Sequence, residues 1–276
     1  MEISEPLTVN KINEMSYTDF VGLVNQWNVP PGAYETVNEW AVFGHVDETS
    51  RVLEVACTTG FSLRELSLMT GCSGIGIDIS AASVEAANRT KEMQAPEADI
   101  EYRVENGLTH MPDDEKYSHV LFGAALRFFP SPDQALGHFV TNLVKDRGLL
   151  LSNEFFTTEP IPAELIERAE SVFNMTPTTV GYDQVMEPYK GLRRLYNQVH
   201  PIRQETQEQL DHYCDSSIER AKSELQLTDV NILEAMRSRL MDIKKMSNDL
   251  RPYQGYTTLV HQYVEGEYGK RYTELF

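Results

Sequence analysis

The sequence predicts an α/β protein built on a doubly wound, mostly parallel β-sheet. Between residues 51 and 156, short apolar runs alternate with segments of helical periodicity, and turn-forming residues separate them. The apolar runs are nearly continuous, as expected for strands that helices cover on both faces. Such sheets bind ligands at the carboxyl ends of their strands, so the residues that end each run are the candidate functional residues.

The predicted core alternates strand and helix. Ser80 is a natural N-cap for one helix, and Gly71 can terminate the helix before it. The segment YTTLVHQYV is rich in β-branched and aromatic residues, which favours a last strand that returns to the sheet. The predicted strands are 51–56, 74–79, 100–104, 117–125, 148–156 and 256–264, and the main helices between them are 61–69, 80–94 and 131–144.

Residues 1–50 precede the first core strand and are predicted to be helical. One helix is expected at Thr18–Trp27, capped by Ser16 or Thr18, and a second begins near Tyr34 after a Pro-Pro-Gly break. Two interpretations stay open for this segment. It packs on the sheet as a helix pair, or it is a lid from which Tyr17 or Trp40 reaches the ligand.

A second helical segment is predicted at residues 157–252, where the strand-like runs stop. Leucine, isoleucine and methionine recur at helical spacing between Leu233 and Leu250, a pattern typical of a core-facing helix. An insertion at this point of the chain would cover the ligand site. The chain therefore divides into a lid segment (1–50), a ligand-binding core (51–156), a helical cap (157–252) and a closing strand (253–276).

Composition limits the class of partner. The formal net charge is −18, which repels a polyphosphate backbone, so nucleic acid is not an expected partner. The three cysteines lack metal-type spacing and cannot form a disulfide framework, which favours a reducing, cytoplasmic setting. No apolar run is long enough to span a bilayer, and the acidic N-terminus does not resemble a signal peptide, so no membrane association is expected.

The stretch RVLEVACTTG, residues 51–60, is the centre of the predicted site. An apolar strand that contains Glu54 ends in a turn of small residues, and a helix begins directly after it. Asp78 ends the next strand. A buried carboxylate is costly without a partner, so two strand-borne acids beside a tight turn favour a ligand with hydroxyls and a cationic group.

These residues resemble the class I S-adenosylmethionine-dependent methyltransferases. The first family motif, an acid followed by spaced small residues, is matched by Glu54-Val-Ala56-Cys57-Thr58-Thr59-Gly60, with Ala56 and Thr58 where glycine is usual. The resemblance implies a Rossmann-like, seven-stranded sheet and S-adenosylmethionine as cofactor, with S-adenosylhomocysteine as product. The implied cofactor-binding residues are Tyr17, Glu54, Ala56, Cys57, Thr58, Gly60, Asp78, Ile79, Asn106, Gly107, Leu108, Gly123, Ala124 and Phe128.

The resemblance also assigns roles to these positions. Asp78 would accept hydrogen bonds from both ribose hydroxyls, and Asn106 would serve the adenine amino group in a loop where the family often has an acid. The small residues at Gly123 and Ala124 would let the methionine portion lie against the backbone. Catalysis in this class comes largely from holding the acceptor and the methyl group close and aligned.

The acceptor is predicted to be a small molecule. The end of strand four lacks the Asn/Asp-Pro-Pro-Tyr motif of amine-modifying DNA and glutamine enzymes, has no Pro-Cys nucleophile, and offers no acid for a catalytic metal, so no metal is expected. His200 is the preferred general base because histidine titrates near neutrality, and Glu154 is the second candidate catalytic residue. The expected partners are the acceptor and, as an arrangement left open, a second copy of the chain in a homodimer.

Three alternatives stay open at this point. The altered first motif permits a catalytically silent methyltransferase-like subunit that binds a partner. A protein or RNA methyltransferase is the second, and the acidic charge disfavours RNA. A nicotinamide-dependent dehydrogenase is the third, but its G-x-G-x-x-G motif is missing after the first strand.

Overall fold

A seven-stranded sheet organises the chain in a computed structural model that describes residues 7–27 and 30–268. The outer ends of the predicted lid and closing segments, 1–6 and 269–276, lie outside the described residues, as do residues 28 and 29. The strand order is β3-β2-β1-β4-β5-β7-β6. The strands are β1 Arg51–Val55, β2 Ser73–Asp78, β3 Ile100–Val104, β4 Tyr117–Gly123, β5 Val144–Thr157, β6 Arg193–Pro201 and β7 Gln254–Gln262.

Strands β1 to β5 are parallel, and β7 is antiparallel to both β5 and β6. The predicted doubly wound, mostly parallel sheet is therefore confirmed. The helices are α1 Val9–Glu14, α2 Tyr17–Leu23, α3 Tyr34–Phe43, α4 Phe61–Thr70, α5 Ala81–Gln94, α6 Pro132–His138, α7 Ala163–Phe173, α8 Tyr182–Val185, α9 Gln207–Glu224 and α10 Val230–Leu250.

Each face of the sheet has its own apolar core. On one face, Leu150, Phe122 and Leu259 pack with α6 and the turn that follows it. On the other face, Leu151, Leu121 and Val260 pack with α3, α4 and α5. Residues 150 and 151 point to opposite faces because side chains alternate along a strand, and both are fully buried, which explains the continuous apolar runs of the sequence.

The residues predicted to cap the helices do so in the structure. The hydroxyl of Ser16 accepts a hydrogen bond from the amide of Asp19 at 3.1 Å, and Ser80 does the same for Ser83 at 3.3 Å. Gly71 ends α4 in the left-handed conformation, with φ of 77°. These caps satisfy helix-end groups that would otherwise lack partners, and they fix where α2, α4 and α5 start or end.

The structure differs from the prediction most clearly at two helix ends and at one strand that the sequence did not predict. Helix α2 ends at Leu23 rather than Trp27. Helix α6 ends at His138 and is followed by a π-helical turn, 139–143, which leads directly into β5. Residues 193–201 form the edge strand β6 inside a segment that was expected to be wholly helical, because the exposed edge of a sheet tolerates a polar sequence with little apolar signal.

The helical segments from the two flanks pack together. Residues of α1 and α2 share an apolar cluster with α9 and α10, and the predicted Leu/Met stripe of α10 is buried at Met236, Leu240 and Ile243. The guanidinium of Arg239 donates to the carbonyl of Met15 at 2.7 Å, which ties α10 to the start of α2. None of the helices in the described part of the chain is long and apolar enough to cross a membrane.

Candidate functional site

The loop after β1 lies at the carboxyl edge of the sheet and has an unusual backbone. Ala56, Thr58 and Gly60 have φ values of 58°, 47° and 73°, so every second residue is left-handed. Ala56 and Thr58 are partly exposed, whereas their neighbours in the loop are buried. A left-handed conformation is unfavourable for a β-branched residue, so threonine is strained at position 58. The exposed surface of this loop is therefore the surface offered to a ligand.

Gly60 is required by a close contact. The hydroxyl of Tyr102, on β3, donates to the carbonyl of Gly60 at 2.7 Å. A Cβ atom at position 60 would lie 2.5 Å from the Tyr102 ring. Tyr102 therefore supports the loop from below, a role that the sequence did not indicate because a single tyrosine in a strand is common.

Replacing Thr58 by glycine is expected to raise the free energy of unfolding by up to about 1.6 kcal/mol. Glycine removes a left-handed strain of roughly 1–2 kcal/mol, and the added flexibility of the unfolded chain offsets about 0.4–1 kcal/mol of that gain. Urea denaturation of the wild type, Thr58→Gly and Thr58→Ser measures the difference. Serine keeps the strained backbone without the relief, so a Thr58→Gly variant no more stable than Thr58→Ser would contradict the strain at this position.

Glu54 lies beneath the loop rather than on its surface. The carboxylate accepts a hydrogen bond from the amide of Leu63 at 3.2 Å and is 4% exposed. It thereby caps the amino end of α4 from the preceding strand. Burial raises the pKa of Glu54 to about 8, against the opposing effect of the Leu63 and Ser62 hydrogen bonds and the charge of Arg64.

Asp78 joins the loop after β1 to the start of α5. Its Oδ2 accepts from the amide of Thr58 at 3.0 Å, and its Oδ1 accepts from the amide of Ser80 at 2.9 Å. The side chain is 7% exposed, and burial raises its pKa despite these two bonds. Each carboxylate oxygen has two lone-pair sites, so Asp78 keeps acceptor capacity for ligand hydroxyls while it holds the loop.

The loop after β3 is closed by side-chain contacts. The side-chain oxygen of Asn106 accepts from the amide of Leu108 at 2.9 Å, and Gly107 packs so closely on Val55 that an added Cβ would lie 2.5 Å from that side chain. The ends of the loop are joined by Glu105 and His110, whose Oε2 and Nδ1 are 2.5 Å apart. Residues 106–108 are therefore presented in a fixed conformation beside the loop after β1.

Apolar side chains border these polar groups. Ile79 is 71% exposed and directly follows β2, and Phe128 is 61% exposed at the end of the short helical turn Leu126–Phe128 that follows β4. Large apolar side chains exposed at a site of this kind are typical of a surface that a ligand ring covers.

The end of β4 lies under the N-terminal segment. A Cβ atom at Gly123 would be 3.5 Å from the Cβ of Pro30 and 3.8 Å from the side-chain oxygen of Asn153. Ala124 is left-handed, with φ of 51°, and its amide donates to the carbonyl of Asn153 at 3.0 Å. A bulky residue at 123 would fill this narrow space, so the expectation of small residues here has a geometric reason.

Asn153, which the sequence did not assign to ligand binding, has a buried side-chain oxygen that could accept a hydrogen bond from a ligand at this edge of the sheet. Its side chain is fully buried, and its Nδ2 donates to the carbonyl of Pro31 at 3.3 Å. Its Oδ1 has no hydrogen-bond donor among the described residues. A buried acceptor without a donor is costly, and an N–H group of a ligand beside Gly123 would satisfy it.

The two candidate catalytic residues lie apart from each other. Glu154 is 1% exposed on the α6 face of the sheet and accepts from the hydroxyl of Tyr189 at 2.6 Å, and burial raises its pKa to about 7. His200 is on the edge strand β6, four strands from β1, and its ring stacks on Tyr256 on the α3 face. The structure therefore does not join them into one acid–base pair.

Of the two side chains considered for the lid, Trp40 is fully buried against the sheet and donates to the carbonyl of Ser152 at 3.1 Å. Tyr17 packs edge-on against Phe173 of the cap, with ring centroids 5.7 Å apart. The neighbouring Asp19 accepts from the hydroxyl of Ser80 at 2.8 Å, which places α2 beside Asp78. A direct role for Tyr17 in cofactor binding stays a prediction.

The residues at this edge fit S-adenosylmethionine. Asp78 offers acceptors for ribose hydroxyls, the exposed Ile79 and Phe128 offer apolar surface for a ring, and Asn153 offers a buried acceptor where an α-ammonium group would be satisfied. The left-handed loop leaves Ala56 and Thr58 partly exposed on the side where a ligand would lie.

Comparison with known proteins agrees with the fold. Residues 52–148 match the family model described as a methyltransferase domain. An uncharacterised protein of Haemophilus influenzae is 22% identical over 167 residues, which cover 60% of this chain and 66% of that protein.

Several solved structures share the fold. The MccD protein is 24% identical with a TM-score of 0.69, and the match covers 86% of this chain and 100% of MccD. A Geobacter sulfurreducens S-adenosylmethionine-dependent methyltransferase, solved with S-adenosylhomocysteine, is 15% identical with a TM-score of 0.66 over 88% and 96% of the two chains. Phosphoethanolamine N-methyltransferase 2 of Haemonchus contortus is 14% identical with a TM-score of 0.64 over 94% of this chain and 61% of that enzyme.

Proposed function

We propose that this chain is a class I S-adenosylmethionine-dependent methyltransferase that transfers the methyl group of the cofactor to a small-molecule acceptor. The observation that carries the proposal is the covered end of β4. The carbonyl of Pro31 receives hydrogen bonds from Asn153 and Thr36, so the N-terminal segment lies across the strand ends next to Gly123. A covered site of this kind suits a small acceptor better than a folded macromolecule.

The cofactor site is proposed to use the residues that the sequence assigns to it. Asp78 would hold the ribose hydroxyls, the loop 106–108 the adenine edge, and the backbone of Ala56 to Gly60 the centre of the cofactor. Glu54 would act from below by fixing the loop and the start of α4, since its carboxylate already accepts the Leu63 amide. The cofactor supplies an electrophilic methyl group when it is bound.

If the acceptor is protonated, we propose that the carboxyl group of Glu154 takes up its proton. The pKa of its carboxyl group is raised to about 7 by burial, so the side chain can take up or release a proton near neutrality. The hydroxyl of Tyr189 holds its orientation. His200 is a weaker candidate because its Nε2 already faces the carboxylate of Glu39 at 3.2 Å.

A catalytically silent subunit is the second candidate, and one observation favours it. Ala56 and Thr58 carry side chains at left-handed positions where the family usually has glycine, and these side chains reduce the space above the loop. An active methyltransferase and a silent subunit would have the same fold, and they would differ in whether methyl transfer is catalysed. An RNA acceptor is disfavoured by the net charge of −18.

Two measurements test the proposal in sequence. Calorimetric titration with S-adenosylhomocysteine is expected to show one site per chain, and absence of binding would overturn the proposal. The protein is then incubated with S-adenosylmethionine and separate small-molecule, protein and RNA fractions of a cell extract. Release of S-adenosylhomocysteine is expected with the small-molecule fraction, whereas binding without release in every fraction would support the silent subunit.

A further inference from the structure

Glu35, Glu39 and His200 form a cluster at the junction of α3 and β6, away from the loop after β1. One potential ligand atom from each residue lies within 4.8 Å of the other two. The Nε2 of His200 is 3.2 Å and 3.3 Å from the two oxygens of Glu39. The side chains of His200 and Glu39 are 14% and 13% exposed, so this pair is largely shielded from solvent, while Glu35 closes the outer side.

The fold brings these residues together from distant parts of the chain. Glu35 and Glu39 are one helical turn apart and therefore lie on the same face of α3. Like charges at this spacing repel each other, and no lysine or arginine among the described residues pairs with either of them. A cation between the two carboxylates and His200 would remove this repulsion.

Neighbouring groups hold the potential ligands in position. The ring of His200 stacks on Tyr256, with centroids 4.7 Å apart and planes inclined by 12°. The hydroxyl of Tyr196 lies beside Glu39, and the Tyr196 ring is itself fixed by stacking on Phe43, with ring centroids 3.8 Å apart. Hydrogen-bonded carboxylates and an oriented imidazole are typical of metal ligands, whose outer partners fix their geometry.

We propose that Glu35, Glu39 and His200 bind a divalent transition-metal ion, with Zn²⁺ as the best match. One imidazole nitrogen and two carboxylate oxygens are a donor set that Zn²⁺ accepts, at bond lengths of about 2.0–2.2 Å. Tetrahedral ligands at such lengths are about 3.3–3.6 Å apart. The Nε2–Oε separations of 3.2 and 3.3 Å are close to this spacing.

The ion would link α3 to the edge strand β6. Helix α3 begins at Tyr34, directly after the Pro30–Gly32 segment that lies against Gly123, so the link would anchor the cover of the proposed acceptor site. This inference replaces the expectation that the protein has no metal. It stands on the geometry of the cluster and does not depend on methyl transfer.

The experiment uses the full chain after dialysis against a chelator. Calorimetric titration with ZnCl₂ is expected to show one site per chain, and Co²⁺ is expected to give the visible absorption of a tetrahedral site. Glu39→Gln and His200→Gln should each weaken Zn²⁺ binding at least about tenfold, the lower end of the cost of losing even an outer partner of a metal ligand. Glu164→Gln and His212→Gln, which change the same residue types at exposed positions, should bind like the wild type.

The exposed Glu35 supplies a variant that should not disturb folding. Glu35→Gln is expected to keep the wild-type circular dichroism spectrum and to weaken Zn²⁺ binding. Zn²⁺ binding that is absent from the wild type, or that keeps the wild-type affinity in all three cluster variants, would overturn the proposal and leave an ion pair between His200 and Glu39 only. Binding of S-adenosylhomocysteine is measured in parallel, so a failure of this site is distinguishable from a failure of the methyltransferase assignment.

Discussion

Replacing Asp78 by alanine is expected to weaken binding of S-adenosylhomocysteine roughly 10- to 150-fold. The substitution removes hydrogen bonds between the ribose hydroxyls and a charged acceptor, which are worth about 1.5–3 kcal/mol, and each 1.4 kcal/mol is about tenfold in affinity. It also removes the acceptor for the amides of Thr58 and Ser80, so the loop after β1 loses its link to α5. Calorimetric titration of the wild type and the variant measures the change.

The matched control for this prediction is Asp99→Ala. Asp99 is an exposed aspartate that precedes β3, so it lies at the opposite end of the sheet from Asp78. Its replacement should leave the affinity unchanged. If Asp78→Ala folds and binds S-adenosylhomocysteine as tightly as the wild type, Asp78 is not the ribose acid, and the cofactor is held elsewhere.

The centre of the site could be predicted because its signals are local in sequence. A strand, a turn and a helix follow one another within residues 51–70, and the small residues of the turn can be read directly from the sequence. Asp78 ends its strand, as predicted, and both of its oxygens point toward neighbouring loops. The apolar strands of the core were recognisable because both faces of the sheet are buried.

The parts that the sequence could not predict depend on contacts between distant residues. Strand β6 is largely exposed at the sheet edge, so the sequence RRLYNQVHP carries no burial pattern. His200 meets Glu39 across 161 positions of chain, and this contact changed His200 from the preferred base into part of a separate cluster. Asn153 became notable only when its buried oxygen was found to lack a donor.

Glu54 and Glu154 share a property that sequence patterns alone could only partly predict. Both are carboxylates inside apolar strands, and both are nearly completely buried. Burial disfavours the charged form, so the pKa of Glu54 is raised to about 8 and that of Glu154 to about 7. Between pH 4.5 and these values the folded protein keeps protons that the unfolded chain has released. The contribution of each group to stability is therefore complete below about pH 4.5 and is lost as the pH rises through its folded pKa.

Replacing Glu54 by glutamine is expected to remove most of the pH dependence of stability that the wild type shows between pH 7 and 8. In that interval Glu154 passes from about half ionised to about nine-tenths ionised, whereas Glu54 is still mostly protonated at its start, so the Glu54 carboxyl contributes most of the slope. The wild type should lose stability there by up to about 1.4 kcal/mol per pH unit from this group. Glutamine does not titrate and keeps a side-chain oxygen for the Leu63 amide. Urea denaturation at closely spaced pH values measures the slope.

Two further variants distinguish the contributions of Glu54 and Glu154 to the pH dependence of stability. Glu154→Gln should reduce the slope of the stability profile between pH 5 and 7 by roughly half, because Glu54 still contributes there, and should change the slope between pH 7 and 8 much less. Glu97→Gln, at an exposed position, should show the same dependence of stability on pH as the wild type. Parallel profiles for Glu54→Gln and the wild type between pH 7 and 8 would show that the buried Glu54 is already ionised at neutral pH. The loop after β1 would then rest on a charged carboxylate at the amino end of α4, and a Glu54→Gln variant would lose stability at every pH above 5 because a charge-assisted bond had been replaced by a neutral one.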